Sequence, residues 1–204
     1  MNWPRRRRVR WYAATGVSQE IVIRRAGRQR GADTVGRVDA APTPMVTGTG
    51  SEREVLESFL DFHRGVVVRK VADLPDAAAR RRLVPSQTTL AGLLRHLAVT
   101  ERQWFQQVLS SQPAPVGERA DDPDTSWVVS GAETVLDVVA AYEQECGRSR
   151  EAAAGRELDE TVPHPVLGEV SLRWIYVHVI EETARHAGHA DILRELTDGA
   201  TGVV

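Results

Sequence analysis

The sequence predicts an all-α protein, a four-helix bundle behind a basic extension. Three observations carry this: four segments of helical periodicity between residues 51 and 198, polar Pro- or Gly-bearing connections between them, and no alternating run of convincing length for a strand. At 204 residues and 42% hydrophobic content, the chain suits one domain with a sizeable core.

Residues 1–47 read as an extension, and 48–204 as the bundle. The first 45 residues carry ten arginines against Glu20, Asp33 and Asp39, a net +7, while the rest holds 16 basic and 25 acidic residues, a net −9. The head lacks periodicity and is rich in Pro and Gly, so disorder is expected, with Met45 an alternative beginning. Trp3 and Trp11 beside Arg5 to Arg8 would suit an anionic partner, but nucleic acid is a weaker reading than a solvated tail.

The first helix is expected over 51–72, opened by Ser51 with Glu54 three residues on and carrying Val55, Leu56, Phe59, Leu60, Val66 and Val67 on its apolar side. Asp73-Leu-Pro75 stops it. The second runs over 89–110 from a Thr88 or Thr89 cap, with Leu90, Leu93, Leu94, Leu97, Trp104, Phe105 and Val108 for packing. A polar loop of about 20 residues follows, longer than a side-by-side helix pair needs, so it is expected to cross the end of the bundle. The third helix spans 131–154 with Val135, Leu136, Val138, Val139 and Tyr142; the fourth starts behind Ser171 and stops at Asp198-Gly199.

No run approaches the ~20 apolar residues of a membrane span, and the first residues lack the apolar middle of a secretory signal, so a cytoplasmic protein is expected. The single cysteine, Cys146, excludes an internal disulfide and any multi-cysteine metal site; helix packing is its expected role.

The fourth helix is unusual. His178, Glu182, His186 and His189 fall within a stripe of roughly 80° that Ile175, Val179, Leu193 and Leu196 share or border. Buried imidazoles and carboxylates cost several kcal/mol unless paired or bound to a metal, and one divalent cation would satisfy several together. Glu182 and His186 lie one turn apart, and His96 on the second helix is the best third ligand, with Gly92 and Thr100 one turn away on either side, small enough to leave room for a cation and its water. Three protein ligands of this kind leave room for water or substrate, and N/O ligation suits zinc, nickel, iron or manganese. His189 is read as an orienting partner, a fourth ligand or a general base. His178 is expected to hydrogen-bond Glu182 or pack near the bundle end, Glu181 to face outward, His63 to serve the core or surface rather than the same cavity, and His164 to lie in a loop.

Residues 50–202 resemble the DinB/YfiT-like four-helix superfamily, within it a group related to mycothiol-dependent maleylpyruvate isomerase. The likeness rests on Leu93-Leu-Arg-His-Leu97, Glu101-Arg-Gln-Trp-Phe105, Ser171-Leu-Arg-Trp174 and the His178 to Asp191 motif. It implies an up-down-down-up topology and a divalent metal held by His96, Glu182 and His186. Many members have His where this chain has Glu182, a glutamate that is similar to the pattern in the isomerase, and His189 stands where others often have Gln.

Two functions follow as expectations. One is a metal-dependent thiol S-transferase or isomerase using mycothiol, in which His189 moves the proton and a small-molecule thiol or electrophile is the partner. The other is a non-catalytic metal- or small-molecule-binding stress protein. Trp104, Phe105 and Trp174 are assigned to either the pocket or a homodimer face.

Overall fold

The computed structural model describes residues 46–113 and 125–202. The basic extension and most of the long loop after the second helix lie outside the described residues.

Four long helices dominate. Helix α1 spans Glu52–Val71 behind a capping box in which the Ser51 amide donates to Glu54 Oε2 at 2.8 Å. A short turn, α2, Asp76–Ala79, follows Pro75, and Asp76 Oδ1 accepts from the Val135 amide at 2.7 Å. Helix α3, Leu90–Glu101, is capped by Thr89 and runs on as a π-helix over Arg102–Leu109. Helix α4, Val135–Ala153, has its own capping box in Thr134 and Asp137. Helix α5, Leu172–Asp198, begins behind Ser171, whose hydroxyl accepts from the Trp174 amide at 3.2 Å, and ends on Gly199 at φ 78°. That left-handed angle is cheap only for glycine.

Some expectations need correction. The segment before α5 is an antiparallel hairpin of β1, Thr161–His164, and β2, Gly168–Ser171, pairing Val162 with Val170. Four-residue strands with one inward valine each, one of them containing Pro163, are too short to show period-two alternation. His164 therefore ends a strand. The second helix is π rather than α over its last eight residues, and Phe59, Leu136 and Leu196 turn outward at 41%, 46% and 53% exposure instead of packing inward.

The core is divided. One cluster joins Val66, Val67, Leu93, Leu94, Leu97, Val138, Tyr142 and Leu193; the other joins Leu60, Trp104, Phe105, Val162, Val170, Ile175 and Val179. Between them along the helices come buried polar residues: Arg64 on α1, Glu101 on α3, Ser149 on α4 and Thr183 on α5. Arg64 reaches Glu101 through Nε at 2.7 Å and a terminal nitrogen at 2.5 Å, and its other terminal nitrogen reaches Asp61 at 2.8 Å. No described helix is long and apolar enough to cross a membrane.

Candidate functional site

Packing fixes the rotation of both helices that carry the histidines. On α5, Val179, Thr183, Ala187 and Ala190 are buried, which turns Glu182 and His186 to one edge of that buried stripe. On α3, Leu93, Leu94 and Leu97 are fully buried and leave His96 at the margin of the same core.

The result is a compact cluster. One ligand atom each from His96, Glu182 and His186 lies within 4.8 Å of the others. His186 Nε2 stands 3.5 Å from Glu182 Oε2, and the rings of His96 and His186 meet edge to face with centroids 5.0 Å apart.

A shell of further contacts orients these groups. His96 Nδ1 bonds Ser126 Oγ at 3.0 Å, and the Trp127 indole stacks flat on the His96 ring at 4.2 Å and meets His186 edge-on. This segment, a 3-10 turn at Thr125–Trp127, is seated where α3 has no side chain: a Cβ on Gly92 would lie 2.6 Å from the Trp127 carbonyl oxygen. The space beside Gly92, expected to serve a cation and its water, is filled by backbone. Arg185 donates to Glu182 Oε1 at 2.7 Å, and His189 Nδ1 lies 3.3 Å from His186 Nδ1. With Nδ1 engaged on both rings, Nε2 is the nitrogen left to face the cluster, and that of His186 stands against Glu182 Oε2.

Burial sets the protonation. Desolvation, with help from His96, His189 and Arg185 and against Glu182, pushes His186 down to about 4; desolvation likewise lowers His96, with Glu182 opposing. Both imidazoles are neutral near pH 7 and keep a lone pair for an electrophile. Two neutral imidazoles and a carboxylate in convergence fit a divalent cation, and three ligands leave coordination positions over. Burial pushes the Cys146 thiol up to about 12, away from reactivity.

The remaining candidates lie elsewhere. His63 stands edge-on to Phe62, and exposed Glu181 pairs with Arg185. His178 makes no hydrogen bond to Glu182 among the described residues; it stacks on Trp174 and meets Trp104. Ser126 and Trp127 escaped the sequence reading, although a Trp in an otherwise polar loop was the available signal.

One solved structure, the crystal structure of the conserved protein of locus from Enterococcus faecalis, superposes with a TM-score of 0.55 at 15% identity, covering 74% of this chain and 100% of that one. That likeness concerns the fold alone. Among curated proteins, nothing matches. A family profile described as Mycothiol-S-transferase matches residues 55–199, which include α3, α5 and all three clustered side chains. The chain belongs to the mycothiol-S-transferase family, a DinB-like family of helical proteins.

Proposed function

We propose that the chain is a metal-dependent thiol S-transferase that uses mycothiol, with His96, Glu182 and His186 as ligands of a divalent cation, zinc by preference. The observation that carries this reading is the convergence of three ligand atoms within 4.8 Å in a chain of this family. A bound cation supplies positive charge that lowers the pKa of a thiol and favours the thiolate at neutral pH.

The residues divide the work. Ser126 and Trp127 hold the His96 ring; Arg185 holds the Glu182 carboxylate. His189 Nδ1 lies 3.3 Å from His186 Nδ1, and His189 is exposed; when that contact opens, its Nδ1 lone pair is able to take the proton that the thiol gives up. The thiolate then forms a bond to an electrophilic carbon, whose leaving group departs with its electron pair.

Elemental analysis of the untagged protein beside His186→Ala tests the site. The native chain is expected to hold about one equivalent of metal and the variant to lose it, with a fall of ~100-fold or more in affinity. Equal metal in both removes the assignment. Metal and mycothiol bound without turnover across an electrophile panel would make the protein a binding module instead.

A further inference from the structure

An aromatic wall stands beside the metal-ligand cluster, on the hairpin side. His178 and Trp174 precede Glu182 on α5 by four and eight residues, about 6 and 12 Å along the axis. The His178 ring stacks on Trp174 at 4.9 Å with planes 11° apart, and Trp104 meets His178 at 4.5 Å. On its other contact, Trp104 stacks on His164 at 5.3 Å with planes 8° apart.

Two features set this wall apart from ordinary packing. Trp104 lies within the π-helical stretch, a rare conformation that recurs at functional sites because it rotates side chains out of α register. The wall also carries polar edges. His164 Nδ1 accepts from the Val166 and Leu167 amides at 3.3 and 3.2 Å, so its proton sits on Nε2, and no hydrogen bond among the described residues occupies either ring nitrogen of His178. Trp174 is 38% exposed, a large indole left partly in water. A flat apolar face bordered by N–H groups suits a hydroxyl-rich ring, whose C–H face stacks on indole while its hydroxyls bond the imidazoles.

We infer that Trp174, His178 and His164, backed by the buried Trp104, form the subsite for the sugar-like portion of the thiol, a pyranose or cyclitol ring, while the sulfur lies at the His96, Glu182 and His186 cluster. This rests on the thiol-transferase reading. Spacing agrees: a cysteinyl group joined by one amide spans about 6 Å from sulfur to the attached ring, the axial rise from Glu182 to His178.

The test uses the full chain with three probes: mycothiol, N-acetylcysteine and the sulfur-free glucosaminyl-inositol. Titration calorimetry serves the thiols and saturation-transfer NMR the sulfur-free ring. Trp174→Ala and the stack-preserving His178→Phe are each expected to weaken mycothiol by about five- to tenfold while leaving N-acetylcysteine unchanged, and the native chain is expected to show saturation transfer to glucosaminyl-inositol that Trp174→Ala abolishes. If both variants bind mycothiol as the native chain does, or saturation transfer to glucosaminyl-inositol persists in Trp174→Ala, the subsite is overturned. If neither thiol binds but glucosaminyl-inositol still does in a Trp174-dependent way, the wall stands and the thiol reading falls. If none of the three binds, both fall.

Discussion

Two sets of titratable side chains interrupt the same apolar bundle, and they are resolved in opposite ways. Around Arg64, each guanidinium nitrogen has an acceptor, two on Glu101 and one on Asp61, so the buried charges cancel within the chain. Around His186, ligand atoms of His96, Glu182 and His186 converge on one another, and of these only Glu182 has a cationic partner among the described residues, Arg185. Both groups bear a desolvation cost of several kcal/mol. Where every donor meets an acceptor, the group closes on itself; where ligand atoms converge from three side chains, the set stays open to a partner from outside the protein. On the proposed reading, that partner is a cation.

The largest effect should come from breaking the closed set. Arg64→Met leaves the Glu101 carboxylate, 1% exposed, without its counter-charge, and is expected to cost ~3–5 kcal/mol in urea unfolding. Replacing both residues, as Arg64→Met with Glu101→Leu, should recover most of that loss, because an apolar pair of similar volume carries no stranded charge. A single variant as stable as the native chain would show that the carboxylate finds water or another cation, and the comparison would fail.

The open set should respond to acid instead. His186 is held at about 4 in the folded chain against an ordinary 6.5. The unfolded state therefore takes up the proton first, and stability is fully present above 6.5, declines as pH falls toward 4, and levels off below. In chelator-treated protein this should remove on the order of 2–3 kcal/mol across that window. His186→Gln should reduce the slope there to what His96, His63 and His178, also lowered by burial, contribute. Asp73 and Asp198, which Arg194 holds below their ordinary 3.8, begin to lose their contribution only under that value, so the two causes separate on the pH axis. A native slope identical to that of His186→Gln would assign the acid response to other groups.

Much of this contrast was legible in the sequence, and the remainder was hidden for identifiable reasons. Helix ends read well where short-range chemistry decides them: Ser51 with Glu54, Thr89, Ser171 and Gly199 act within a turn of themselves. The histidine stripe on α5 was visible because polar residues broke an apolar periodicity. Arg64 and Glu101 were not visible as a pair, since they stand 37 positions apart and each alone looks like a surface charge. The π-helix keeps an apolar pattern that reads equally well as α. The hairpin offers one inward valine per strand, too little periodicity to register. Gly92 was read as room for an ion because a missing side chain does not reveal what fills its place.

That last point gives the smallest and most specific expectation. The turn at Thr125–Trp127 touches α3 by its Trp127 carbonyl over Gly92, its Ser126 hydroxyl on His96 and its indole on the same ring. None of these is a ligand. Each fixes which nitrogen of His96 faces the cluster, so Ser126→Ala should lower metal affinity by about tenfold while leaving chelator-treated stability within ~0.5 kcal/mol of native. Gly92→Ala acts through backbone, forcing the Trp127 carbonyl outward, and should weaken metal binding at least as much. Competition with a chromophoric chelator reads both. The Arg64 set provides the control, since nothing in it depends on that turn: if Ser126→Ala binds metal as the native chain does, the loop is packing and the His96 ring is held by α3 alone.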